Sequence, residues 1–443
     1  MFNNSLDENN RPRGIHALAL QDGGSPNFRH HFYVNGSART SDIDANNCGT
    51  EQNAGTCAPA WKTIVVGSLG KGGNSYFAID ATDPNVTTEA SAQTKILWEY
   101  SLPGGQYSYG RPIIAKTRAD GWVVVIASGY NNIDGTLGYG DGKGHLIFLN
   151  AATGAFIRKL NTTAADIGTT ADPSGLAQIN GFTKDARNQL IEQIYGADLK
   201  GQLWRWDVRD TNAANWQAQT VLLANLTELG TGMRQPVTTA PQLEIDINNG
   251  VDRFVFIGTG QLLHPDDLFT PPLSTQRQTM YAIRDGTLEA PSTSGLPIAP
   301  RTALLSASGT AGVGGVAPNG WFSDLAVGQR IVNDVQADLN LVAYAGTTTQ
   351  DDPCLTSLPA YIYARDFTTG ESLVYSGGTV QPYYYSLEGA VGLELVALDS
   401  ATGSFPELAI VFTSETNAQI RPVEIRPKSF GGGHRLSWRI VGE

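Results

Sequence analysis

Three observations on this chain of 443 residues predict an all-β fold, a β-propeller of about seven blades with irregular loop insertions. Glycine and proline are abundant, 50 and 22 residues, while only 16% of residues are charged, which is the composition of short strands joined by tight turns. One phrase recurs: a short apolar strand, a Gly-rich turn, a second strand with aromatic or aliphatic residues, then Asp or Asn and another turn. No copy of that phrase can bury its apolar face alone. A ring of small sheets buries all of them and leaves only short, protected edges, with a pair of packed sheets as the alternative.

The copies follow in order. "WKTIVVGSLGKGGNSYFAIDATDP" begins at Trp61, "GWVVVIASGYNN" at Gly121 is completed by "GKGHLIFLNAATG", and "EQIYGADLKGQLWRWDV" begins at Glu192. "DRFVFIGTGQLL" goes with "QTMYAIRDG" and "NLVAYAGTTTQDD" with "AYIYARDFTTG", while "GLELVALDSATGSFPELAIVFTSE" is a reduced copy. Each reads as a hairpin in which alternate residues bury one face and Gly supplies the positive φ of the turn. The terminal Asp80, Asn150, Asp207, Asp285, Asp366 or Asp399 caps the exit by bonding to its own backbone. Strands around Trp98, Trp321 and the C-terminal "HRLSWRIVGE" are expected to complete or close the ring.

Residues 1–28 read as a polar N-terminal segment and 29–443 as the propeller domain. Loop insertions are expected near 161–182 and 290–320, where small and polar residues replace strand alternation. A formal net charge of −12 argues against a nucleic-acid partner, which needs clustered Lys and Arg. No run of about 18 apolar residues predicts a membrane span. The start of the chain lacks a basic segment followed by an apolar stretch, so an exported parent protein would be longer than this chain. Cys48 and Cys57 flank a polar loop, and a disulfide between them would place the protein in an oxidising compartment; two reduced thiols, or a metal pair, are the alternatives.

The ordered series "HHFYVNGSARTSDI", "WKTIVVGSLGKGGNSYFAIDATDP", "GYNN", "LIFLNAATG", "YGADLKGQLWRWDV", "FIGTGQLL", "DDPC" and "RLSWR" resembles the C-terminal domain of PilY-type proteins. These are type IV pilus biogenesis factors and pilus-tip adhesins of Gram-negative bacteria. The resemblance runs from about Phe28 to the C-terminus and implies a propeller exposed on the pilus tip or outer membrane. It further implies support of pilus extension against retraction, twitching motility and surface attachment, with pilus subunits (major or minor pilins) and a host or abiotic surface as partners.

The family's regulatory calcium loop precedes a phrase that here reads "YGADL", Tyr195 to Leu199, so its counterpart is Lys184 to Glu192, "KDARNQLIE". That stretch departs from the pattern: Lys184 repels a cation, Ala186 offers no ligand, and only Asn188 and Glu192 remain. One unit later, "EIDINNGVD" places Glu244, Asp246, Asn248 and Asp252 at alternating positions, with the Gly250 carbonyl between the last two. Calcium takes six to eight oxygens from such a mixture of carboxylate, amide and carbonyl groups. The competing reading is a turn whose Asp and Asn satisfy their own backbone. "DIDANN", Asp42 to Asn47, is a further acidic cluster, better explained as a polar insertion.

No catalytic constellation is expected. The six histidines show no metal-ligand spacing, "VGSLG" lacks the first Gly of a nucleophile elbow, and the Lys of "GYGDGKGH" is not followed by Ser or Thr. A quinone-dependent dehydrogenase propeller is the enzymatic alternative, but the adjacent cysteines such pockets often use are absent, and the eight Trp are read as blade packing. A carbohydrate- or protein-binding propeller unrelated to pili is the other. Tyr383, Tyr384 and Tyr385 could present a stacking platform, with alternation turning at least one of them inward.

Overall fold

The computed structural model describes residues 32–48, 57–103, 107–133, 140–163, 167–185, 187–246, 251–264, 266–269, 271–314, 318–338, 340–348, 358–387, 389–390, 392–398, 407–413 and 423–425. Among them are six sheets. The first holds β1 (Arg39–Asp44), β2 (Trp61–Ser68), β3 (Ser75–Asp80) and β4 (Ile96–Ser101), hydrogen-bonded in chain order. The second holds β5 (Ile113–Thr117), β6 (Gly121–Ala127), β7 (His145–Asn150) and β8 (Phe156–Asn161). The third holds β9 (Ile179–Thr183), β10 (Ile191–Ala197), β11 (Gln202–Asp207) and β12 (Thr220–Asn225). The fourth runs β13 (Gln242–Asp246), β14 (Asp252–Gly258), β15 (Thr279–Thr287), then β17 (Gly320–Asp324), with β16 (Leu305–Ser306) parallel on its outer edge.

The fifth and sixth sheets exchange chain. β18 (Gln336–Asp338), β19 (Leu341–Thr347) and β20 (Ala360–Asp366) are followed by β21 (Val374–Ser376) and β22 (Thr379–Gln381), and only then by β23 (Tyr384–Ser386), which returns to pair with β20. β21 and β22 instead join β24 (Gly392–Leu398), β25 (Glu407–Thr413) and β26 (Val423–Ile425), with Val374 opposite Ile425. The first strands β1, β5, β9, β13 and β18 lie successively side by side, and β24 lies beside β18, so the sheets are arranged radially about these inner strands.

The expected count of about seven blades becomes six sheets among the described residues, because Trp98 lies on β4 and Trp321 on β17, the fourth strands of sheets already counted. "HRLSWRIVGE" and Asp399 lie outside the described residues, as does the segment 1–28. Residues 179–182, assigned to a loop insertion, are inner strand β9, and the 290–320 insertion holds a short helix (Pro300–Ala303) and β16 before β17 begins.

Central strands bury both faces rather than one. All seven residues of β6, β10, β14 and β19 are buried. The reason is that every such sheet is covered on both sides. Trp122, Val124 and Ile126 pack with Ile64, Val66 and Trp98 of the first sheet, while Val123, Val125 and Ala127 pack with Ile194, Trp204 and Trp206 of the third. The hydrophobic core therefore lies between sheets, and the pleat divides each central strand between two neighbours.

Aspartates and asparagines at the ends of the third strands cap the turns as read. Oδ1 of Asp80 accepts from the N–H of Thr82 at 3.0 Å, that of Asn150 from Ala152 and Thr153 at 3.0 Å each, and that of Asp207 from Arg209 at 3.2 Å. Asp366 accepts from Thr368 at 3.0 Å and Thr369 at 2.9 Å. Asp285 breaks the series: β15 runs on to Thr287, and the Asp285 side chain turns inward.

Candidate functional site

The turn between the two innermost strands of the fourth sheet carries the predicted metal residues. Glu244 and Asp246 lie on β13, Asp252 opens β14, and Asp246 stands directly opposite Asp252. Asn248 and Gly250 lie outside the described residues. Leu243 and Ile245 pack toward the third sheet, so alternation turns Glu244 and Asp246 toward the fifth. Asp246 and Asp252 are buried, and like charges directly opposite in a β-pair repel. One partner is already present: Arg284 donates from Nη2 to Asp252 Oδ1 at 2.5 Å. Glu244 Oε1 accepts from Gln242 Nε2 at 3.2 Å. Val251 adopts φ 73°, an unfavourable conformation for a β-branched residue, and its N–H donates to Asp246 O at 3.0 Å. Among the described residues no group of three or more His, Cys, Asp or Glu side chains could hold a metal ion. The described donors thus supply two facing carboxylates, and a cation there also needs the oxygens of residues 247–250.

The corresponding turn of the third sheet has its polar side chains engaged elsewhere. Lys184 pairs with Glu289, Asp185 with Arg187, and Asn188 Oδ1 accepts from the Leu190 N–H at 2.9 Å. Glu192 is buried with Arg118 at 3.9 Å, and Ala186 lies outside the described residues. The first sheet's turn is closed in its own way. Cys48 and Cys57 are joined as a disulfide with Cα atoms 5.3 Å apart. Asp44 accepts from the backbone N–H groups of Asn46, Cys48 and Ala60 at 3.0, 2.7 and 2.8 Å. Burial opposes the Asp44 charge, but these donors outweigh it and hold the carboxyl below its ordinary value.

Beneath the turns of the third and fourth sheets lies a buried network that the sequence reading did not find. Asp285 Oδ2 accepts from the Tyr195 hydroxyl at 2.8 Å, and its Oδ1 accepts from Arg205 Nη1 at 2.5 Å and the Ser292 N–H at 3.1 Å. Arg253 donates to Gln193 Oε1 at 2.8 Å and the Tyr195 hydroxyl at 3.1 Å, with its guanidinium 3.7 Å from the centre of the Phe182 ring. Burial and the nearby Asp285 carboxylate push the Tyr195 phenol up. Arg253 therefore ties the residue after Asp252 to the residue after Glu192, joining the two turns. The only available signal was indirect: an Arg inside the buried run "DRFVFIG" demands a partner.

At the other end of the inner strands, Arg111, just before β5, pairs with Asp334, just before β18. The second and fifth sheets are not neighbours, so this pair crosses the centre of the ring. Asp334 Oδ1 also accepts from the Ala240 N–H at 3.2 Å, and the Arg111 N–H donates to Gln178 Oε1 at 3.4 Å. The ring is thus tied together across its middle by side chains of the second, third and fifth sheets and the backbone leading into the fourth.

A family model described as the PilY1 beta-propeller domain matches residues 13–305. The chain belongs to the PilY1 β-propeller family. A PilY1 homolog of Xylella fastidiosa, named as a type IV pilus biogenesis factor, is 28% identical over 311 residues, covering 67% of this chain and 18% of the relative. The type IV pilus biogenesis factor PilY1 of Pseudomonas aeruginosa is 26% identical over 406 residues, covering 80% of this chain and 32% of the relative. The chain therefore spans about a third or less of the length of these relatives. The crystal structure of the Pseudomonas aeruginosa PilY1 C-terminal domain superposes with a TM-score of 0.64 at 21% identity, covering 96% of this chain and 90% of that one. That likeness establishes the PilY1 propeller fold.

Proposed function

We propose that the chain is the propeller part of a type IV pilus biogenesis factor, displayed outside a Gram-negative cell at the pilus tip or outer membrane surface. It works by binding rather than catalysis. It docks to pilus subunits, favours extension over retraction, and takes part in twitching and attachment to host or abiotic surfaces. The observation that carries this reading is the family match over residues 13–305, supported by relatives named as pilus biogenesis factors. Binding rather than catalysis is supported by the relatives, which are named as pilus biogenesis factors and not as enzymes. Removing the coding segment from a piliated host is expected to lower surface pilus number, twitching zone and adhesion together. Unchanged values in all three would overturn the reading.

Calcium regulation is the finer part of the proposal, and it is assigned to the turn of the fourth sheet. Asp246 and Asp252 stand directly opposite each other at buried positions, with Glu244 two residues before Asp246, an oxygen-rich donor set of the kind a hard cation takes. Asp246 and Asp252 would hold it, with the Asn248 side chain and the Gly250 carbonyl completing the set. Such an ion shifts the chain between two states only by binding them unequally. Titration calorimetry on metal-stripped protein is expected to give calcium heat in the wild type and none in Asp246→Ala. A wild type without calcium heat removes the metal from the account.

A further inference from the structure

We propose that the outer rim of the fifth sheet is a binding site for a neutral saccharide, built on the rings of Tyr361, Tyr383 and Tyr385. β23 pairs with β20 so that Tyr385 lies directly opposite Tyr361, and the pleat puts Tyr383 on the same face. The rings meet at 4.9 Å for Tyr361 with Tyr383, nearly perpendicular at 82°, and at 4.9 Å for Tyr361 with Tyr385, tilted at 49°. Two planes at that angle make a corner. One ring can take the apolar C–H face of a pyranose while the other meets its edge.

The corner is anchored from below. Tyr383 contacts Tyr363 at 5.8 Å, and Tyr363 stacks on the fully buried Tyr344 at 4.8 Å and 11°. The Tyr363 hydroxyl donates to Gln329 Oε1 at 2.8 Å. Tyr384 points the other way, packing against the core between the fifth and sixth sheets. The exposed rings therefore continue a stacked ladder that starts in the core, and little ordering remains to be done when a ligand arrives. Tyr383 and Tyr385 keep 39% and 44% of their surface exposed, enough to offer a ring face.

Charge selects the ligand. From Leu358 to Ala364 and from Leu373 to Leu387 the chain contains no Asp, Glu, Lys, Arg or His. An acidic polysaccharide or a phosphate-bearing ligand finds no exposed countercharge on these stretches, because the one cation of β20, Arg365, is buried and donates to the Tyr344 hydroxyl and the Gly370 and Gly309 carbonyls. What they do offer is hydroxyls and an amide. Among the described residues the hydroxyls of Tyr361, Tyr383 and Tyr385 make no hydrogen bond within the chain, while Thr379 and Gln381 lie on the adjoining hairpin. Burial, with the neighbouring Tyr385 and Tyr383 phenols, pushes the Tyr361 phenol up, so it remains a neutral donor and acceptor at physiological pH. Aromatic planes bordered by uncharged hydrogen-bonding groups match a molecule with apolar ring faces and hydroxyl edges. The inference deepens the attachment part of the pilus reading and rests on that reading for its use in the cell, though not for the binding itself.

The test uses the intact chain with maltohexaose, cellohexaose, chitohexaose and lacto-N-tetraose as probes, and with heparin and decaproline as comparators. Saturation-transfer NMR is expected to show transfer to pyranose ring protons of at least one neutral oligosaccharide. Its Kd should rise by about tenfold or more in Tyr383→Ala/Tyr385→Ala, which corresponds to about 1.4 kcal/mol of lost affinity. Tyr385→Phe should retain stacking and give a smaller loss, and it serves as the deciding variant if the double alanine form does not fold. Binding of none of the four neutral probes overturns the proposal. So does binding that these substitutions leave unchanged, or binding of heparin or decaproline alone. Because binding is read on the isolated chain, its failure is separable from a change in pilus number or twitching.

Discussion

Asp285→Ala is expected to cost about 3–5 kcal/mol of stability, the range for removing one partner of a buried ion pair. The carboxylate is fully buried and receives Arg205 at 2.5 Å, the Tyr195 hydroxyl at 2.8 Å and the Ser292 N–H at 3.1 Å. Without it, the buried Arg205 guanidinium keeps only the Ser292 carbonyl, at 2.8 Å from Nη2. Arg253, also buried, reaches Asp285 through the Tyr195 hydroxyl that accepts from Arg253 and donates to the carboxylate, so a second buried positive charge loses the end of its hydrogen-bond chain. Denaturant titration followed by tryptophan emission should show the lowered midpoint. Replacing both charges, as Arg205→Met with Asp285→Leu, should destabilise less than Asp285→Ala, because no unpaired charge is then left behind. A midpoint unchanged in Asp285→Ala, or a double variant less stable than the single, would mean that charge pairing does not hold the third and fourth sheets together.

The same residue marks where sequence reading reaches its limit. Asp80, Asn150, Asp207 and Asp366 bond to backbone two or three residues ahead, so a local pattern contains all the information needed to place them. Asp285 carries the same local pattern, but its partner Arg205 lies 80 residues earlier, and that distant charge draws it inward. The radial architecture was legible for a related reason: each hairpin is a local object, and only their number makes a ring. Burial of both strand faces was not, because the second covering sheet comes from another part of the chain.

Strands of three residues were beyond reach as well. β21 and β22 are too short for alternation to register, and nothing in "LVYSGGTVQ" announces that the hairpin leaves the fifth sheet for the sixth. At the candidate metal turn, alternation puts Glu244 and Asp246 on one face of β13, and the hairpin brings Asp252 opposite Asp246. Arg284 was invisible there, since its approach depends on the register between β14 and β15, which slips by a bulge between Asp252 and Phe254. Alternation did divide the three tyrosines, sending Tyr384 to the core side and its neighbours outward.

Trp321→Ala is expected to cost about 3–5 kcal/mol, as large aromatic deletions in a core do. Trp321 is fully buried, and its indole N–H donates to the Phe367 carbonyl at 2.7 Å, linking the outer strand of the fourth sheet to a turn of the fifth. Trp98 does the same between the first and second sheets, donating to the Ala151 carbonyl at 2.9 Å. Both turns end in glycine under the ring. A Cβ on Gly154 would sit 2.6 Å from Trp98 Cδ2, and one on Gly370 would sit 2.8 Å from Trp321 Cδ2. Gly370 has φ +66°, so Gly370→Ala combines left-handed strain of about 1–2 kcal/mol with displacement of the indole and of Ala307, whose Cβ would also lie 2.8 Å away. Gly295, at φ +70° with nothing within 4 Å of its would-be Cβ, isolates the strain alone. Unfolding midpoints should therefore fall further for Gly370→Ala than for Gly295→Ala, and furthest for Trp321→Ala. Equal shifts for the two glycine variants would show that the indole yields without cost, and that the phrase ending in Thr-Gly is kept open for its backbone conformation rather than for the tryptophan of the preceding sheet.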